Sequence, residues 1–137
     1  MPGTGIDSVP TKVVAPAGVS FARIFAGTSH TCAISTTGSA YCWGRDDYGQ
    51  LGDGLQLPYG TGNATPVPVQ GGLQFRSLSL GELYTCGVVG SLTAPLGPST
   101  TAGAVYCWGD NLFGQIGNGT AANNAPVLSP SKVLYQP

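Results

Sequence analysis

The sequence predicts an all-β fold, a partial β-propeller of two four-stranded antiparallel blades. Three observations predict it. A string of residues occurs twice in the same order along the chain. Short runs of β-branched and aromatic residues alternate with turns, and 22 glycines and 11 prolines make about a quarter of the 137 residues. No segment shows the apolar period of an amphipathic helix. Glycine and proline at that level would suit a disordered chain, but 42% of the residues are hydrophobic, which a disordered chain lacks. Many short strands joined by tight turns satisfy both facts.

The repeat sets the organisation. Phe21–Ile34 returns as Phe75–Val88, an offset of 54 residues. Tyr41-Cys42-Trp43-Gly44 returns as Tyr106-Cys107-Trp108-Gly109, and Gly49–Gly54 returns as Gly114–Gly119, both at an offset of 65. The second copy therefore carries 11 extra residues between its cysteines. That insert, Ser91–Thr101, is rich in serine, threonine, proline and glycine and reads as a loop. The chain divides into a lead-in strand and linker over 1–20, a first repeat over 21–74, and a second repeat over 75–137 that includes the start of a third lead-in at Ala125-Pro126-Val127. It begins and ends at comparable phases of the repeat, as a slice from a longer array would.

Within each unit, alternation places the strands. Phe21–Ala26 and Phe75–Leu80 end at Gly27 and Gly81. Thr31–Ser35 is a second strand, 36–39 a turn, and Ala40–Trp43 a third strand. Val67–Val69 supplies a fourth strand at an edge, because Pro66 and Pro68 have no amide to donate. The glycines of 49–54 are too many for a regular strand and call for positive φ or close backbone approach.

Composition excludes several functions. Charged residues are 8% of the chain and the net charge is −1, so no basic surface exists to neutralise phosphates and nucleic acid is not an expected partner. No apolar run is long enough to insert in a membrane, and the first residues, Met1–Gly5, do not resemble a signal peptide.

The pattern Ala26-Gly27, His30-Thr31-Cys32-Ala33, Gly38, Tyr41-Cys42-Trp43-Gly44 and Gly49-Gln50-Leu51-Gly52-Asp53-Gly54 resembles the regulator of chromosome condensation repeat. The second copy carries the same positions as Gly81, Trp108, Gly109, Gly114, Gln115 and Gly117. Its cysteine-bearing form is similar to repeats of bacterial surface and exported proteins. The resemblance implies that the two repeats are a piece of a seven-bladed ring. It also implies protein binding and, as the family's best-known activity, nucleotide exchange on a small GTPase. No residue here can be matched to that activity. The copies depart from one another where His30 becomes Tyr84 and Ala33 becomes Gly87.

Cys32 and Cys42 flank a hairpin, which puts them opposite each other on neighbouring strands, close to the separation a disulfide needs. Cys86 and Cys107 hold the same repeat positions. The expected bonds are Cys32–Cys42 and Cys86–Cys107. They would place the protein in an oxidising compartment: periplasm, cell surface or exterior. Buried thiols in a reducing compartment are the alternative, and zinc a remote one, because no Cys-x-x-Cys pair occurs.

Other candidates read as structural. His30 is the only histidine and has no carboxylate or serine placed to complete a triad, so its ring is expected to close a strand-to-strand turn by a hydrogen bond. Asp46, Asp47 and Asp53 lack the calcium-loop spacing and are expected to bond the local backbone. Trp43 and Trp108, at one repeat position, are expected to pack between blades or over the glycine-rich turn. Asn63-Ala64-Thr65 and Asn118-Gly119-Thr120 match the glycan acceptor pattern, but the second serves a turn. No cofactor, metal or catalytic residue is expected.

Two blades share one interface and leave two sheet faces uncovered. The expectation is therefore a non-catalytic interaction or scaffold module, with further blades, a protein partner or a second copy covering those faces. The 91–101 insert is the candidate contact loop. The alternatives are a guanine-nucleotide exchange factor, from the resemblance alone, and a propeller hydrolase or lyase, for which ionisable groups are few.

Overall fold

A computed structural model describes residues 8–93, 103–120 and 125–134. They form eight strands: β1 (Phe21–Ala26), β2 (His30–Ser35), β3 (Ala40–Arg45), β4 (Gly62–Pro68), β5 (Phe75–Leu80), β6 (Tyr84–Val89), β7 (Val105–Gly109) and β8 (Val127–Lys132). No helix occurs among the described residues. The strands make two four-stranded antiparallel sheets, in the orders β1-β2-β3-β4 and β5-β6-β7-β8. Each sheet is one blade, so the chain is a partial propeller.

The two blades share their irregularities as well as their strands. The β1–β2 register shifts between Phe21 and Arg23, and the β5–β6 register between Phe75 and Ser77. A second shift falls between Cys42 and Gly44 and again between Cys107 and Gly109. Gly44 and Gly109 sit there at φ of 104° and 107°, a conformation that other residues rarely adopt. Cys32 lies directly opposite Cys42, and Cys86 opposite Cys107. Both pairs are bonded, with 4.0 Å between their Cα atoms, as the hairpin position led us to expect.

Three segments differ from expectation. The fourth strand starts at Gly62, well before Val67, because the chain after the 46–61 loop already runs beside Gly44 and Arg45. It lies at the sheet edge, where Pro66 and Pro68 break no ladder. Val127–Lys132, read from the sequence as part of a third lead-in, is the outer strand of the second blade. Lys12–Val14 forms no strand. By the repeat offset this segment corresponds to 66–68 of β4, which pairs with β3.

The core lies between the blades. Cys32, Ile34, Ala40, Cys42 and Leu51 of the first blade and Phe75, Leu78 and Trp108 of the second form one buried cluster. Removing a large apolar side chain from water contributes about 1.5–3 kcal/mol, so this cluster is the main force holding blade to blade.

Candidate functional site

The loop after β3 inserts into the second blade. It holds Gly49, Gln50 and Gly52 of the repeated motif, and its turns close through Gly49 N–H to Asp46 O (3.3 Å) and Gly52 N–H to Gly49 O (3.1 Å). The turn aims the Gln50 carbonyl at the neighbouring blade. That oxygen accepts from Trp108 Nε1 at 3.0 Å and from Thr85 Oγ1 at 2.9 Å. Gly52, at φ 72°, lies flat on the indole: a Cβ there would stand 2.6 Å from Trp108 Nε1. Gly54 N–H then donates to Leu128 O of β8 at 2.9 Å. Gly27, in the β1–β2 turn, likewise approaches the second blade, where a Cβ would meet Leu80 Cβ at 2.9 Å.

His30 completes this junction. Its Nε2 lies 2.7 Å from Thr85 Oγ1. The threonine has one hydroxyl proton and gives it to Gln50 O, so it accepts here and Nε2 carries hydrogen. The other ring nitrogen, Nδ1, is buried without a partner. Burial drives the His30 pKa down to about 4, and the ring is neutral. The expectation of a ring closing its own turn is corrected: backbone does that, through Gly27 N–H to His30 O at 2.9 Å, and the side chain crosses to the other blade.

The aspartates bond local backbone, with one exceptional oxygen. Asp53 Oδ1 accepts from Leu55 N–H and Asp46 Oδ1 from Leu51 N–H. Asp47 takes Arg45 in a two-pronged pair at 2.8 and 2.6 Å, with Gly60 N–H as a further donor. Burial acts to raise Asp47, but the bonds from Arg45, Gly60 and Gln50 outweigh it and hold the carboxyl below its ordinary range. Asp46 Oδ2 is buried without a donor. The second blade shows what belongs there: Asn111, at the same repeat position, uses its Oδ1 identically and donates its Nδ2 to Thr120 O at 2.9 Å. Asp46 occupies an amide's place. Burial first, then the nearby Asp53 and Asp47 charges, push its pKa up to about 7 despite the Leu51 N–H.

Trp43 and Trp108 part company. Trp108 is fully buried against Phe75 and the loop of the first blade. Trp43 is half-buried and stacks on Phe21 of its own blade. Gly114, Gln115 and Gly117 lie in the equivalent loop after β7, and Gly81 in the β5–β6 turn. No group of three or more histidine, cysteine, aspartate or glutamate side chains that could hold a metal occurs among the described residues. Thr85 was not singled out from the sequence, although Thr31-Cys32 and Thr85-Cys86 repeat within the motif.

The rim that carries these loops is apolar at its tip. Phe113 is 86% exposed, Tyr59 83% and Leu112 45%. A cleft of about 380 Å³ runs across the blade junction, lined by Tyr48 of the first blade and by Glu82, Tyr84, Asp110, Leu112 and Phe113 of the second. The 91–101 insert lies mostly outside the described residues. No helix of the described residues is long and apolar enough to cross a membrane.

The chain resembles proteins of one repeat class throughout. It is 31% identical over 115 residues to the human E3 ubiquitin-protein ligase HERC2, covering 82% of this chain and 2% of the ligase. It is 31% identical over 113 residues to the ultraviolet-B receptor UVR8 of Arabidopsis thaliana, covering 81% and 22%. Among solved structures, Prp20p of Saccharomyces cerevisiae matches 90% of the chain at a TM-score of 0.66 and 21% identity, and human WBSCR16 matches 89% at 0.68 and 16%. The chain spans only 27% of each of those structures and a smaller share of the curated relatives. Models of the regulator of chromosome condensation (RCC1) repeat match residues 21–50, and 37–88 with 102–135. With two blades of matching register, a shared glycine-rich loop and these matches, the chain belongs to the regulator of chromosome condensation repeat family.

Proposed function

We propose that the chain is a non-catalytic protein-interaction module of an exported or surface-displayed propeller, and that the rim at the blade junction is its contact surface. The carrying observation is the cleft over the junction, where Leu112 and Phe113 stand open to solvent beside Tyr48 and Tyr84. Aromatic side chains on a rigid scaffold are the usual anchors of protein contacts. Glu82 and Asp110 at the same cleft favour a partner segment that pairs an apolar side chain with a basic one. Protein partners also occur on a protein of the same fold: Prp20p binds Gsp1p and histones.

Two further points support the finer reading. Both disulfides favour an oxidising compartment. The only histidine is spent between the blades, neutral and enclosed, which leaves little for acid–base catalysis. A photo-crosslinking residue at Phe113, with another at Thr37 on a different loop as control, tests the surface. Protein adducts with a single partner are expected from Phe113 only. Equal labelling from both positions would remove the rim from the reading. Accelerated nucleotide release from a small GTPase would favour the exchange-factor alternative instead.

A further inference from the structure

The blade junction has a second rim, and it differs from the first in charge. β1 and β5 begin there, with Phe21 opposite Ser35 and Phe75 opposite Val89, so the 36–39 turn and the connection after β6 lie on it. The chain has six acidic residues. Asp46, Asp47, Asp53 and Asp110 are in the loops after β3 and β7, and Glu82 is in the β5–β6 turn, all on the rim of the aromatic cleft. The sixth, Asp7, is outside the described residues. The second rim therefore holds no carboxylate among the described residues. It does hold two cations, Arg23 near the start of β1 and Arg76 near the start of β5.

Arg23 crosses the junction. Its Nη1 donates to Arg76 O at 2.7 Å, and its Nη2 reaches Leu92 O at 3.5 Å. Both acceptors are neutral carbonyls, and a guanidinium has five N–H donors. The Arg76 side chain lies along Gly90, where a Cβ would meet Arg76 Cδ at 3.3 Å. Neither arginine has an ion-pair partner among the described residues, whose one ion pair is Arg45 with Asp47. Two positive charges thus stand together with no counter-charge.

Beside them is a pocket of about 90 Å³ between the two blades. Thr36, Thr37 and Gly38 wall it on the first blade, and Gln74 with Gly90–Thr93 on the second. Its side chains are hydroxyls and one amide, with Leu92 the apolar exception. Thr37 Oγ1 shares a hydrogen bond with Ser35 at 2.9 Å, and Ser91 Oγ with Thr93 Oγ1 at 3.3 Å. A hydroxyl has one donor and two acceptor positions, so each retains capacity for a ligand. Ser91–Thr93 open the insertion that only the second repeat carries, so the pocket is not part of the repeated motif. Both walls meet at their shared junction, and what lies against their outer faces does not alter the lining.

We propose that this rim binds an acidic saccharide, with one oxyanion on Arg23 and Arg76 and the adjoining sugar hydroxyls on Thr37, Gln74, Ser91 and Thr93. The charge calls for the oxyanion, because the parallel N–H groups of a guanidinium match a carboxylate or sulfate. The pocket wall selects the carrier. Hydroxyl and amide groups both give and take hydrogen bonds with sugar hydroxyls, whereas an apolar carrier would leave them unpaired. Arg23 is already held across the junction, so its fork needs little ordering on binding. The site lies away from the aromatic cleft and stands or falls separately from the protein-contact reading.

An amide NMR titration of the 137-residue chain with sodium glucuronate at fixed ionic strength tests it, with glucose and sodium sulfate as comparisons. Glucuronate should shift the Gly38, Gly90 and Ser91 amides along a saturating curve. Glucose and sulfate should each need at least about tenfold higher concentration, since each offers only half of the recognised chemistry. Arg23→Gln and Arg76→Gln should each weaken glucuronate by about tenfold or more, and Thr93→Val by several-fold. Arg76→Gln removes no hydrogen bond between the blades, so it separates loss of the site from any loosening that Arg23→Gln causes, and the dispersion of the spectrum reports folding of each variant. Shifts that do not saturate, or an Arg76→Gln variant that binds as the wild type does, would overturn the proposal. So would glucose matching glucuronate, or sulfate matching it, which would leave a bare anion site.

Discussion

Replacing Asp46 with asparagine tests the protonation state of the blade junction, and the sign of the effect follows from two opposed shifts. Asp46 is raised from 3.8 to about 7 in the folded chain, and His30 is lowered from 6.5 to about 4. Between about pH 4 and 6.5, the folded protein holds a proton on Asp46 and none on His30, while the unfolded chain holds the reverse. The two states bind equal numbers of protons, so these groups give a flat stability profile across that window. Asp46 alone contributes stability that is complete below about pH 4 and lost as pH rises through about 7. His30 alone contributes stability that is complete above about pH 6.5 and lost as pH falls through about 4. Asp46→Asn therefore exposes the histidine: stability should fall by about 1.4 kcal/mol per pH unit on acidification, about 3 kcal/mol over the window. His30→Gln, which keeps a donor for Thr85, exposes the aspartate: stability should instead fall on alkalinisation, by about 4 kcal/mol between about pH 4 and 7. Near pH 8, Asp46→Asn should be more stable than wild type, because the buried Oδ2 becomes an amide donor as in Asn111. Urea unfolding followed by tryptophan fluorescence at stepped pH measures all three profiles. If Asp46→Asn has the wild-type profile, Asp46 is ionised throughout and the reasoning fails.

Three further predictions concern the packing. Gly52→Ala should destabilise by about 3 kcal/mol or more, since left-handed backbone costs roughly 1–2 kcal/mol and the new Cβ also displaces the Trp108 indole. Gly117→Ala, whose Cβ would meet only the Val133 side chain, at 3.3 Å, should cost the backbone part alone, measured by the same urea titration. Trp108→Phe removes one of two donors to the Gln50 carbonyl and should cost about 1–3 kcal/mol, while Trp43→Phe should cost under about 0.5 kcal/mol. Removing either disulfide by paired alanine substitution should cost roughly 3 kcal/mol. The Cys86–Cys107 bond should cost slightly more than Cys32–Cys42, because it closes a separation of 21 residues against 10.

The strands were legible because their signals are local. β1 and β5 match the expected Phe21–Ala26 and Phe75–Leu80 to the residue, since each is a short stretch opened by phenylalanine, carrying further apolar residues and stopped by glycine. The disulfides were legible for the same reason: ten residues with a turn at their centre put Cys32 opposite Cys42. The junction was not. His30 meets Thr85 across 55 residues, and Trp108 meets Gln50 across 58, distances over which strand periodicity carries no information about partners. The Asp46 proton was hidden by a reasonable default, that an aspartate in a turn is ionised. Aligning the copies would have raised it, because Asn111 at the same position is a donor that a carboxylate cannot imitate without hydrogen.

Apolar contact alone does not set how one blade sits on the next, for a greasy face tolerates sliding and rotation. Direction comes from the Gln50 carbonyl. It fills both acceptor positions from two strands of the neighbouring sheet, Thr85 on β6 and Trp108 on β7, and so fixes the loop against both at once. The acceptor is backbone, so no substitution at Gln50 removes it. What the sequence must encode is the turn that points it, and that falls to the left-handed residues at Gly49 and Gly52 on either side, with Asp46 Oδ1 tying down the Leu51 amide between them. On this account Gln50→Ala, which loses the side-chain bonds to the Tyr48 amide and to Asp47 Oδ1 but keeps the carbonyl, should disturb the junction less than Gly52→Ala does. The opposite ranking in unfolding free energy would mean that the glutamine side chain, and not the aimed carbonyl, sets the register between blades.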